Sequence, residues 1–355
     1  MKFPQFFIDK KEITALHIAS GVLIISGIAL LAWFFVHANY RASAWIDEDF
    51  VPEEARVVCS PRIIDGMCVT PGTEKPKLVA VMIENHLDAR PQSGLSRAAV
   101  VYEAPVEGNY SRFMAIFPLG EEVDKVGPVR SARPYFLDWA REFGKPMYMH
   151  VGGSPDALQE LRSTTYFDFN EFSRGSYFWR SRDRYAPHNT YTSSEQWARG
   201  WEDFGSDTFS FSNESWLYGE VVPCTTTCTT SIVASFAPPV YRAEWKYATT
   251  TEKYTRYQLN KPHVDQDGTQ ISANTLVVQY VTTVVLDAEL RIEMDTVGEG
   301  DAIVFTKGNK VEGTWKKISR DSKTRFYDSN GIEIPFTPGK IWIEVVNQVG
   351  DAEWK

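Results

Sequence analysis

From Ile13 to Val36 the chain carries no Asp, Glu, Lys or Arg. A helix of that length, about 24 residues, crosses the roughly 30 Å hydrocarbon core of a bilayer. The run constrains everything that follows it. Lys2, Lys10 and Lys11 precede it, so the positive-inside rule keeps residues 1–12 in the cytoplasm and places the chain beyond Tyr40 outside the cell membrane. Trp33, Phe34, Phe35 and Tyr40 suit the outer interface. The expectation is a single-pass anchor at 13–36. Ala42-Ser43-Ala44 has the small-x-small form of a cleavage site, which leaves a cleaved signal peptide as the rival, although its apolar core would be long. His17 lies one turn inside the run and can stay neutral there.

An extracytoplasmic location suits the cysteines. Cys59 lies near Cys68, and Cys224 near Cys228, a pattern that reads as two local disulfides in an oxidising compartment. A four-thiolate zinc site is disfavoured because neither pair has CxxC spacing. No cysteine directly follows the apolar run as a lipid-modified one would. The net charge of −9 argues against a nucleic-acid partner or acidic lipid as a generic target, so any anion site must be local.

Residues 37–76 read as an acidic tether. Residues 77–205 read as an α/β domain, with α+β as a variant: KLVAVMIE, AAVVYEA, RFMAIF and MYMHV are strand-like. Helices are expected to begin at Arg133-Pro134, Ser154-Pro155 and Ser193, from Pro at the first helical position and Ser at the cap. Residues 206–232 read as a Ser/Thr-rich linker. Residues 233–350 read as a smaller β-rich domain of short alternating runs between Gly, Asp and Asn turns.

Chemistry is concentrated in arginine. Between residues 90 and 184 there are eleven Arg and two Lys, with about as many carboxylates. Arg is selected where a planar fork must meet a carboxylate or phosphate. Arg130 and Arg133 flank a helix N-terminus, where a cation is unfavourable by about 0.3–1 kcal/mol. Two readings stand: Arg112, Arg130 and Arg133 pair internally with Glu84, Glu103 or Glu107, or some of them converge on an external anion. His150 ends a strand before Gly152-Gly153 and the Ser154 cap, so it and Glu103 are the candidate acid–base groups. Arg180, Arg182 and Arg184 alternate before His188 and Asn189. There is no P-loop, no G-x-S-x-G elbow and no H-E-x-x-H helix; six histidines, two of them in or beside the expected anchor, leave little for a multi-His metal site, and no cofactor is expected, a divalent metal entering only with a transferase reading.

ARPQSGLSRAAVVYEAPVEGNYSRFMAIF, KVGPVRSARPYF, HVGGSP and APHNTY resemble the N-terminal domain of the YerB-like lipoproteins, a bacterial family of unknown function. YTRYQLNKPHVDQDGTQISANTLVVQYV, GTWKK and FTPGKIWIEVV resemble the C-terminal domain of that family. The resemblance implies an anchored extracytoplasmic protein and supplies no reaction. It gathers Arg90, Glu103, Glu107, Arg112, Arg130, Arg133, His150, Ser154, His188 and Asn189 into family-like blocks, to which the Gly152-Gly153 turn belongs. The layout is also faintly similar to envelope phosphotransferases that hold a lipid pyrophosphate with arginines. Three functions follow as expectations: a module binding an anionic envelope lipid or polymer in an Arg-lined cleft, a phosphoryl or polymer transferase at the same cleft, or a scaffold whose β domain binds a protein partner.

Overall fold

Strands whose apolar residues occupy consecutive positions are buried on both faces, and the strand-like runs here are of that kind. The computed structural model describes residues 26–37, 59–163, 166–205, 212–347 and 351–355. In order along the chain, the main strands are β1 (Leu78–Glu84), β2 (Val100–Pro105), β3 (Ser111–Pro118), β4 (Met147–His150) and β5 (Phe167–Asn170). The second half adds β6 (Ser231–Ala234), β7 (Ala243–Ala248), β8 (Lys253–Gln258), β9 (Thr275–Tyr280) and β10 (Gly298–Thr306). It continues with β11 (Asn309–Lys317), β12 (Arg325–Asp328), β13 (Ile341–Val346) and β14 (Ala352–Trp354). Three helices lie between them: α1 (Pro134–Arg141), α2 (Pro155–Ser163) and α3 (Ser194–Phe204).

Ten strands form one sheet in the order β12-β11-β10-β9-β13-β2-β3-β1-β4-β5. β13 closes it: this late strand runs parallel to β9 on one side and to β2 on the other. The expected α/β domain followed by a separate β-rich domain is therefore corrected to a mostly β fold with few helices, in which both halves share a sheet. The physical reason is that β13, all six residues buried, finds hydrogen-bond partners only by inserting between them.

Side chains alternate across this sheet. Val79, Val81, Val101, Phe113 and Ala115 face a core that includes α3 and the smaller sheet of β6, β7, β8 and β14. Ala80, Met82, Tyr102, Met114 and Ile116 face a second core, under α1 and α2. The disulfides Cys59–Cys68 and Cys224–Cys228 both form.

Residues 26–37 form a helix. No helix among the described residues is long and apolar enough to cross a membrane, and residues 13–25 of the expected anchor lie outside the described residues. So do 38–58 of the tether and 206–211 of the linker.

Candidate functional site

The carboxyl ends of β1, β2 and β4 and the start of β3 meet at one edge of the large sheet. By the alternation above, Glu84 shares a face with Met82, and Arg112 with Met114, on the side covered by α1. The β1–β3 register puts Glu84 opposite Arg112.

Glu84, 6% exposed, organises this edge. Its Oε1 accepts from Arg130 Nε at 2.9 Å, and its Oε2 from His188 Nδ1 at 2.7 Å. Next to it, Arg133 grips Glu107 in a bidentate pair at 2.5 and 2.7 Å, while its Nη1 donates to the Ala132 carbonyl. That pair accounts for the cation at the helix start. Arg133 is extended, at φ −136° and ψ 151°, and stays outside α1, which begins at Pro134. Glu107 supplies the compensating charge. Burial pushes the Glu107 carboxyl up, but the Arg133 guanidinium more than offsets this and holds it below the ordinary carboxylate range.

Arg112 is different. It is 7% exposed, and its Nη1 donates to the Ser131 carbonyl at 2.8 Å. Among the described residues no carboxylate forms an ion pair with it. Burial, and then the neighbouring Arg133 and Arg130, lower its proton affinity to about 10, so it stays a cation at neutral pH. Three guanidiniums thus stand beside two carboxylates, and the buried one is unmatched. Tyr241, 3% exposed and packed in the core of the other face, stacks on Tyr110 with centroids 5.0 Å apart and carries the Arg90 guanidinium 5.2 Å from its ring centre.

A cavity of about 260 Å³ opens at the start of α1. Its lining sets Arg133 and Arg291 against Glu107, Asp138, Asp156 and Glu293. Ser154 also reaches it. Carboxylates outnumber arginines there, so this cavity is not the anion pocket; the unmatched charge lies at Arg112.

Several expected site residues take other roles. Glu103 lies on the opposite face of the sheet, because the register pairs it with Phe113 rather than Arg112. It is fully buried and bonded to Ser111, Asn85 and Arg256. His150 is fully buried, with Nδ1 against the Gly152 carbonyl at 2.6 Å and Nε2 against Asp168 at 2.7 Å, so neither ring nitrogen is open to a substrate. Neither acid–base candidate therefore reaches the arginines in a catalytic pose. Gly152-Gly153 is a packed turn: Gly152 takes φ +60°, its carbonyl accepts from Ala132 N, and its N–H donates to Asn170. Ser154 Oγ caps α2 by accepting from Ala157 N at 3.4 Å.

Arg90 donates to the Asn85 and Val240 carbonyls and ties the two halves together. Asn189 bonds Arg180 and Ser181. Of the alternating arginines, Arg180 also pairs with Glu171 and Arg184 with the Ala89 and Pro91 carbonyls. Of the expected anion contacts, the structure gathers Glu107, Arg112, Arg130, Arg133 and His188 at this edge. Unforeseen there are His86 and Asp88, two and four residues past Glu84, which join His188. The signal in the sequence was their position just after a strand end, where ligands collect in α/β sheets.

Both halves match profiles of the family described as "Protein of unknown function (DUF3048)", the N-terminal domain over residues 66–207 and the C-terminal domain over residues 232–343. The "Putative lipoprotein YerB" of Bacillus subtilis (strain 168) is 31% identical over 310 residues, covering 86% of this chain and 91% of that protein. The chain belongs to the YerB-like family. The crystal structure of YerB from Bacillus subtilis superposes with a TM-score of 0.73 at 29% identity, covering 84% of this chain and 99% of that one. The junction between the two family profiles falls near the expected linker. The YerB-like halves are thus sequence units that share a sheet.

Proposed function

We propose that this YerB-like protein is an anchored extracytoplasmic envelope protein that binds a phosphate- or carboxylate-bearing ligand at the Arg112–Arg130–Arg133 ledge. The observation that carries the binding is Arg112: a guanidinium with five N–H donors, buried beside two other arginines, with Nη1 bonded to the Ser131 carbonyl and no carboxylate paired with it among the described residues. An isolated buried cation is costly, and an anion that bonds its remaining donors offsets that cost. Arg130 and Arg133, held in place by Glu84 and Glu107, would present their outer N–H groups to the same ligand.

The location rests on the uncharged run behind three lysines, on the two disulfides, and on a relative named as a lipoprotein. Protease added to intact cells should digest the chain beyond Tyr40 and spare residues 1–12 together with the membrane-embedded run.

The binding test is thermal unfolding of the full chain in detergent, with inorganic phosphate against chloride at equal ionic strength. A ligand bound only to the folded state stabilises it by RT ln(1 + [L]/Kd), about 2.7 kcal/mol at a hundredfold excess over Kd. Phosphate should raise the melting temperature of the wild type and leave Arg112→Met unmoved. Equal shifts in the two proteins, or none in the wild type, would leave the arginines as internal struts and turn the search toward a scaffold with a protein partner.

A further inference from the structure

Beside the ledge lies a cluster that the anion reading does not use. β1 ends at Glu84, and the short helical turn Leu87–Ala89 that follows carries Asp88, with His86 at its cap. From a loop about a hundred residues later, His188 comes over this turn and stacks its ring on His86, centroids 4.7 Å apart and planes 11° from parallel. One donor atom from each of His86, Asp88 and His188 lies within 4.8 Å of the other two. Asp88 Oδ2 is 3.5 Å from His86 Nδ1 and 4.0 Å from His188 Nε2.

We infer that His86, Asp88 and His188 form a binding site for a zinc-type divalent transition ion, with Glu84 as the group that orients His188. Two donor atoms each about 2.1 Å from a tetrahedral zinc ion lie about 3.4 Å apart, so the observed spacings need only small closing movements. The movable members are the exposed ones, since the side chains of His86 and Asp88 are 41% and 74% exposed. The stacked His86 ring turns out of the stack to bring a nitrogen lone pair to the ion. The long 3.2 Å contact from Asp88 N to its Nδ1 is all that this turn gives up among its hydrogen bonds.

The fixed member is His188. Its Nδ1 donates to Glu84 Oε2 at 2.7 Å, and that carboxylate is in turn held by Arg130. A carboxylate on one imidazole nitrogen sets the tautomer and leaves the other nitrogen as a lone pair aimed at the ion, the arrangement that metal-binding histidines adopt. Two imidazoles and one carboxylate favour zinc and its neighbours over magnesium or calcium, which take all-oxygen shells. Three protein ligands leave a fourth position open to water or a ligand oxygen. The proposal stands apart from the anion reading and shares only Glu84 and its neighbourhood with it.

The test is zinc titration of the full chain in detergent after stripping with a chelator, read by calorimetry, with cobalt(II) in parallel for its visible ligand-field bands. One equivalent of zinc and a tetrahedral cobalt spectrum are expected. His86→Ala, at a half-exposed position that leaves the fold intact, should abolish the cobalt bands. Glu84→Gln should weaken zinc about ten- to a hundredfold through the misoriented His188. Circular dichroism checks that each variant is folded, and Asp88→Asn, fully at the surface, repeats the test should Glu84→Gln unfold. No zinc uptake by the wild type, or uptake unchanged in His86→Ala and Asp88→Asn, overturns the site.

Discussion

The two faces of the large sheet carry charge in opposite ways. On the face toward the smaller sheet, Glu103 and Arg256 form an ion pair at 2.7 Å with both side chains wholly buried. Arg256 lies within 5.3–5.9 Å of the rings of Phe113, Trp245 and Trp342 and also bonds His263. Burial, and then Arg256, push the His263 imidazole well below its usual range and keep it neutral. Glu344 accepts from Trp245 Nε1 at 2.7 Å, and burial, followed by the nearby Glu103, drives its carboxyl well above the ordinary range. The result is a buried set in which Arg256 has an ionised carboxylate of its own, Arg90 reaches Glu103 through Asn85, and the neighbours are held neutral. On the face toward α1, three guanidiniums share two carboxylates and part of the set remains in contact with water. A sealed network of this kind fastens the two halves together, whereas an unbalanced, half-open one has capacity left for a ligand. Position in the fold, rather than residue type, separates an arginine with a carboxylate of its own from one without.

The comparison can be broken by removing charge from each face. The largest effect is expected from the double variant Glu103→Gln, Glu344→Gln, which leaves Arg256 buried without a carboxylate. Stripping a partner from a buried pair costs about 3–5 kcal/mol, measurable by chemical denaturation. Glu103→Gln alone should cost less, because Glu344 can then ionise in its place. On the other face, Glu107→Gln faces an Arg133 that still touches water, and a loss of about 1 kcal/mol is expected. Equal losses on the two faces would end the distinction.

A second effect sharpens it. Glu344 binds its proton more tightly folded than unfolded, so the folded state holds more protons and stability falls as pH rises. The contribution is complete below the unfolded carboxyl value of about 4.3 and declines by about 1.4 kcal/mol per pH unit above it, until the buried carboxyl itself ionises. Glu344→Gln should flatten that slope and leave the protein more stable than wild type at pH 8. A parallel pair of pH–stability curves would contradict the assignment. A smaller effect than that of the Glu103, Glu344 double variant is expected at Gly152, whose φ of +60° costs an L-residue about 1–2 kcal/mol. Gly152→Ala should lose about that much stability and keep any response to phosphate, since the turn packs against Ala132 rather than a ligand.

Much of the local structure was legible beforehand. The Arg133-Pro134, Ser154-Pro155 and Ser193 signals mark helix starts because proline geometry and side-chain capping act within a few residues. The strand runs and both disulfides are local in the same sense. The pairing of Arg130 with Glu84 and of Arg133 with Glu107 was one of two open readings, and charge balance alone does not choose between them. Glu103 could not be sorted from Arg112 without the β2–β3 register, because a shift of one residue exchanges the faces of a strand.

By itself, then, the sequence determined where most strands and helices form, which family the chain belongs to, and that arginine dominates its polar chemistry, and it made two local disulfides the simplest pairing. These follow from backbone sterics, apolar periodicity and short-range bonding. Tertiary structure alone decided that β13 joins the two halves in one sheet, that Glu103 seals one face while Arg112 stands unmatched on the other, and that His86 and Asp88 meet His188. Each of these depends on which distant strand edges and loops come together, and that choice is set by burying the whole core at once rather than by any stretch of neighbouring residues.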